Sequence, residues 1–123
     1  MIRLLLVSAA AAAGAPARYL LDKAIVARRA SVLPVGTMVI NVSGAFVLGV
    51  LTGLAAHHGM PKSVLVVFGT GFCGAYTTFS TFSYETMRLV EDGSIGEAAA
   101  NVVVSLAAGM AAAAAGLGLT LLV

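Results

Sequence analysis

No Asp, Glu, Lys or Arg occurs from Ala98 to the C-terminus at Val123. At 1.5 Å per residue a helix over that run is about 39 Å long, enough to cross roughly 30 Å of hydrocarbon with tilt or an emergent end. Dividing the rest of the chain at its charged clusters leaves three more such stretches. The first runs from Leu4 to Leu21, before Asp22, Lys23 and the basic pair Arg28 and Arg29. The second runs from Leu33 to Ala56, before His57, His58, Gly59 and Pro61. The third runs from Val64 to Met87, before Arg88, Glu91, Asp92 and Gly93. Four membrane-spanning helices in one domain, residues 1–123, are therefore expected. Only 10% of the side chains are charged, against about 25% in a soluble domain, so the chain cannot be clothed as an ordinary water-soluble enzyme. Its excess of two positive charges is scattered, which excludes the clustered basic footprint of a nucleic-acid binder. The single cysteine, Cys73, excludes an intrachain disulfide framework.

Arg3, the apolar run and Ala13-Gly14-Ala15 imitate a secretory signal with its cleavage site. Cleavage there would still leave three spans. Positive residues favour cytoplasmic loops, but here Lys23, Arg28, Arg29 and Arg88 fall on one side and Arg3 and Lys62 on the other. A bias that weak allows insertion both ways, and two oppositely inserted copies can form an antiparallel homodimer about a two-fold axis in the membrane plane.

Polar residues at membrane depth face protein or water rather than lipid. Arg18, near the end of the first span, reads either as a snorkelling headgroup anchor or as part of an electropositive vestibule. Thr37 and Asn41 are one turn apart on the second span and share a stripe. Asn41 reads as interhelical glue or as an amide donor to an anion. On the fourth span Asn101, Ser105, Gly109 and Ala113 recur at four-residue spacing, and Gly49 with Gly53 makes a GxxxG pair on the second, both suited to close helix packing. His57 and His58 read as solvated loop residues.

The third span carries the strongest signal. Gly69, Gly71 and Gly74 precede a block of hydroxyls and aromatics from Tyr76 to Glu85. Interior glycines cost a helix about 1 kcal/mol each, so the region from Gly74 to Thr78 is expected to unwind. Such breaks survive in a membrane only where protein, water or an ion satisfies the freed backbone groups. Phe79 and Phe82, three apart, share a face; by themselves they read as packing residues or as pathway residues. No nucleophile stands with a base, and no nucleotide-binding pattern occurs.

The run Gly71-Phe72-Cys73-Gly74-Ala75-Tyr76-Thr77-Thr78-Phe79-Ser80-Thr81-Phe82, with Asn41-Val42-Ser43-Gly44 and Gly14-Ala15-Pro16-Ala17-Arg18-Tyr19, resembles the CrcB/Fluc family of fluoride channels. The likeness covers all four spans, and its TTFSTF element is its most specific part. Ala75 stands where a second glycine is common in that family. The resemblance implies an antiparallel, dual-topology homodimer in the plasma membrane, with two fluoride pathways and a structural sodium ion (Na+) at its centre. It would export fluoride passively and protect the cell from fluoride toxicity. Residue by residue it implies Phe79 and Phe82 along the pathway and Asn41 holding the anion. Thr37, Thr81 and Ser105 would form a polar track with Glu85 and Asn101 near its end. Arg18 would stand in the vestibule, and the backbone carbonyls of Gly74 and Thr77 would hold sodium.

A small multidrug-type transporter shares the four-span, dual-topology plan but needs a membrane-embedded acid in its first span. Here none precedes Asp22.

Overall fold

The computed structural model describes residues 1–28 and 31–122. Arg29, half of the expected basic pair, lies outside them. Among the described residues the secondary structure is entirely helical. Helix α1 spans Ile2–Val26, α2 Val35–His57, α3 Lys62–Leu65, α4 Gly74–Tyr76, α5 Phe79–Glu91 and α6 Ile95–Leu119. A π-helical segment, Val66–Cys73, joins α3 to α4. Among the described residues the stretch Lys62–Glu91 is the third of four segments long and apolar enough to cross a membrane; the protein is a multi-pass membrane protein.

The packing is inverted relative to a soluble domain. Leu4, Leu5, Val103, Leu106 and Met110 are exposed, whereas Thr37, Thr78 and Asn101 are buried. With lipid as solvent, apolar side chains gain little by turning inward, so close backbone approach and interhelical hydrogen bonds hold the helices together. Glycine makes that approach possible. A Cβ on Gly49 would collide with the Ala113 carbonyl, one on Gly116 with the Phe46 carbonyl, and one on Gly53 with Thr120. These contacts join α2 to α6. On the other side Gly14 of α1 rests on the Phe72 carbonyl, and Gly71 rests on Val7, so α1 packs along the π-helical segment.

One expectation about packing changes. Gly109 belongs to the predicted small-residue stripe, yet a Cβ there meets open space; Gly116, two turns on and on nearly the same face, is the one that meets α2, so the close approach is local to that level of the helix pair. His57 closes α2, and a ring nitrogen of His58 is hydrogen-bonded to the Thr120 carbonyl. That tie joins the end of α6 to the end of α2, while both His57 and His58 stay exposed as expected.

The third span is broken, but later than the glycines suggest. Gly74 to Tyr76 remain helical, and the chain becomes extended only at Thr77 (φ −78°, ψ 162°) and Thr78 (φ −151°, ψ 122°). Upstream the wide π turns absorb the glycines, with β-branched Val66, Val67 and Thr70 among them. A π-helix bonds i to i+5 and shifts the phase of everything that follows, so the segment sets which way the break faces.

Candidate functional site

The break leaves backbone groups without helical partners, and each neighbouring helix sends a side chain to meet them. Asn41 of α2 forms a two-point clamp on Thr78. Its Nδ2 donates to the Thr78 carbonyl at 2.9 Å, and its Oδ1 accepts from the Thr78 N–H at 2.8 Å. Arg18 of α1 donates from Nη1 to the Thr77 carbonyl at 3.4 Å. Its guanidinium therefore turns toward the break in the third span.

Helix α5 begins with a side-chain cap. The Thr78 hydroxyl accepts from the Thr81 N–H at 3.2 Å and lies 3.0 Å from the Thr81 hydroxyl and 3.2 Å from that of Ser80. Capping by Thr satisfies one of the orphan donors that open every helix. Thr81 is thus tied into the cap. On the α4 side the Tyr76 hydroxyl and Ser43 Oγ are 2.9 Å apart, and Ser43 Oγ donates onward to the Ile40 carbonyl.

From this capped start Phe79 projects outward, 78% exposed on the protomer, with Phe82 beside it at 5.8 Å between centroids and 41° between planes. A ring so exposed does not fill the protomer's core. An open cleft of about 340 Å³ lies next to it, with Asn41, Gly74, Thr77, Thr78 and Phe79 on its walls.

A second polar chain runs between α5 and α6. Ser105 Oγ donates to Asn101 Oδ1 at 3.4 Å, Asn101 Nδ2 donates to Thr86 Oγ1 at 2.9 Å, and Thr86 Oγ1 donates to the Phe82 carbonyl at 2.7 Å. Asn101 is 1% exposed. The chain ends on the backbone of Phe82, so the amide and hydroxyl of α6 are coupled to the position of α5.

Farther along α5, about 9 Å from Phe79 at helical rise, Glu85 stands within reach of the Thr37 hydroxyl. Its Oε2 is buried and makes no hydrogen bond among the described residues. Asp22 lies close to the same corner, packed on Gly36. The predicted site residues thus fall into three groups strung along α5: Arg18, Asn41, Gly74, Thr77, Phe79 and Thr81 at the break; Phe82 and Ser105 in the middle; Thr37, Glu85 and Asn101, which bonds Thr86 just past Glu85, at the far end.

Sequence reasoning missed Thr78 and Thr86 as individual actors. Thr78 carries a recognisable signal, a hydroxyl three residues before Thr81 at a helix start. Thr86 carries none, because its role depends on Asn101 arriving from another helix.

The sequence matches the family described as CrcB-like protein, Camphor Resistance (CrcB), over residues 5–117. A relative from Nocardia farcinica named fluoride-specific ion channel FluC 1 is 53% identical over 107 residues, 87% of this chain and 72% of its own. A relative of the same name from Streptomyces avermitilis is 52% identical over 112 residues, 91% of this chain and 90% of its own. A third, from Frankia casuarinae, is 50% identical over 117 residues, with 91% of each chain covered. With a broken, hydroxyl-rich third span clamped from two sides and a family match over nearly its whole length, the chain belongs to the CrcB family.

Proposed function

We propose that this protein is a fluoride-selective channel of the bacterial plasma membrane that passes fluoride down its electrochemical gradient. The observation that carries the reading is the roughly half identity, over most of the chain, to relatives named as fluoride-specific ion channels. The polar groups strung along α5 supply a physical route for it.

Fluoride is small and strongly hydrated, so a conducting path must replace its water without trapping it. Aromatic rings carry a negative face and a positive edge, and Phe79 and Phe82, tilted beside one another, can offer edges to an anion. Asn41 keeps a second Nδ2 hydrogen after its bond to Thr78, which leaves it one donor for the ion. The hydroxyls of Thr37, Thr81 and Ser105 provide further donors, and Arg18 adds positive charge beside the break. Asn101 holds Ser105 in place. Glu85 marks the end of the track. Several moderate contacts in series permit flux, whereas one strong cationic site would bind and hold.

The exposed apolar faces and the outward Phe79 suit assembly with a second copy. We read the protein as an antiparallel, dual-topology homodimer with two pathways. A monovalent cation suits the break in kind. The Thr78 N–H, the helical partner of the Gly74 carbonyl, is turned to Asn41, which frees that oxygen. The Thr77 carbonyl also points away from its own helix, although it already accepts from Arg18. Two carbonyls from one chain are an incomplete shell that the second chain would double. Sodium held by Gly74 and Thr77 of both copies would supply fixed positive charge at a low-dielectric centre.

Proteoliposomes loaded with fluoride and chloride test the function. On addition of a potassium ionophore fluoride should leave and chloride should stay. Equal leakage of both ions would refute selectivity, and retention of both would refute conduction.

A further inference from the structure

We propose that Arg18 is a positioning residue for the break, holding the Thr77–Thr78 peptide in the conformation that aims Phe79 into the pathway. The role in conduction rests on the fluoride-channel reading; the role in holding the break does not.

Three observations lead here. The helical donor that would serve the Thr77 carbonyl is the Thr81 N–H, and that group is committed to the Thr78 hydroxyl. The carbonyl is therefore orphaned by the cap itself, and an orphaned carbonyl at membrane depth is costly unless donors or a cation meet its two lone pairs, which leave room for both Arg18 and a bound sodium. Arg18 does so at 3.4 Å, from 59 residues away in sequence. Gly14, one turn before Arg18 on the same face of α1, has no room for a side chain because the α1 backbone lies on the Phe72 carbonyl and close to the Tyr76 amide. Glycine at 14 brings α1 onto the span just ahead of the break, and the long arm of Arg18, one turn on, then reaches the first extended residue. Asn41 grips the next residue, Thr78, from the opposite helix. The extended pair is held from both sides, and Phe79 is the residue that follows.

Arg18 thus works through Thr77, and because the carbonyl is neutral the guanidinium's positive charge stays beside the break.

The sequence provides a clean probe, because Thr77–Thr78 is the only Thr–Thr pair in the chain. Protein made with carbonyl-13C, 15N-threonine has one directly bonded 13C–15N pair, whose carbon reports on the Arg18 contact and whose nitrogen reports on the Asn41 clamp. In bilayers of the intact wild-type protein, 15N in the arginine guanidinium groups, recoupled frequency-selectively so that the bonded Thr78 amide nitrogen does not contribute, should dephase that carbon signal. Arg18→Met should shift the carbon resonance while leaving the nitrogen closer to its original position, and Arg18→Lys, which can still donate, should move the carbon back. Fluoride efflux should fall about tenfold or more in Arg18→Met, the rate equivalent of losing one charge-assisted hydrogen bond, and Arg18→Lys should recover most of it. An undephased carbon in the wild type, or an unshifted one in Arg18→Met, overturns the positioning role even where Arg18→Met lowers flux. The wild-type measurement needs no variant to fold. A dephased carbon in a protein that passes no fluoride would leave the Arg18 contact standing and remove the channel reading instead.

Discussion

Asn41 offers the sharpest test of how the break is stabilised. Replacing it with Leu keeps a side chain of similar size and removes both hydrogen bonds to Thr78, at 2.9 and 2.8 Å. At the average of about 0.6 kcal/mol measured for hydrogen bonds between membrane helices, the loss would be only about 1.2 kcal/mol. That average reflects sites where the freed groups find other partners. Here the N–H and C=O of one extended residue are freed together, and leaving a buried polar group unsatisfied costs about 1–3 kcal/mol. Two such groups give about 2–6 kcal/mol, so Asn41→Leu should destabilise the fold by at least about 2 kcal/mol. Reversible unfolding in mixed detergent micelles measures this directly. Asn41→Asp provides a second point: it keeps an acceptor for the Thr78 N–H but sets a second oxygen against the Thr78 carbonyl, so its loss should be comparable despite the near-identical shape. A change below about 0.5 kcal/mol in Asn41→Leu, with the Thr78 nitrogen resonance unmoved, would refute the clamp and return Asn41 to the role of anion contact alone.

Phe79→Ile and Phe82→Ile should each reduce fluoride efflux about tenfold or more, since about 1.4 kcal/mol on a barrier is a decade in rate, while Ile at Phe46 or Phe68 should be tolerated. Because Phe79 is so exposed on the protomer, its replacement should hardly change protomer stability, and near-normal flux in both variants would return the rings to packing. Gly49→Ala should destabilise by about 1–3 kcal/mol, as overpacking does, because its Cβ meets the Ala113 backbone, whereas Gly109→Ala points into open space and should be neutral or slightly stabilising; thermal aggregation of the purified protein distinguishes the two. Dual topology predicts that a cysteine placed at Ser94, in a Cys73→Ala background, is labelled by impermeant reagent from both sides of the membrane. One-sided labelling would reject the antiparallel dimer.

The four spans were legible without a structure because their existence depends on sums along the chain: about 20 apolar residues match the bilayer wherever their neighbours lie. The TTFSTF block and its hydroxyls were legible for the same reason, since polar groups at membrane depth need partners whatever those partners are. Which partners they find is a matter of tertiary structure. The break falls at Thr77 and Thr78 rather than from Gly74 onward because the donors and acceptors that stabilise an extended pair are Arg18 and Asn41, 59 and 37 residues away. Gly74 to Tyr76 stay helical where no such partner is delivered. Arg18 has the length to snorkel or to turn inward; the close approach of α1 at Gly14 decides for the carbonyl. Gly109 and Gly116 are a heptad apart and share nearly the same face of α6, yet α2 comes close enough to pack one and leaves the other open. Local composition settles that a segment must cross the membrane and must be interrupted, and helix packing settles where the interruption is satisfied, because a hydrogen bond depends on distance in space rather than on position in the chain.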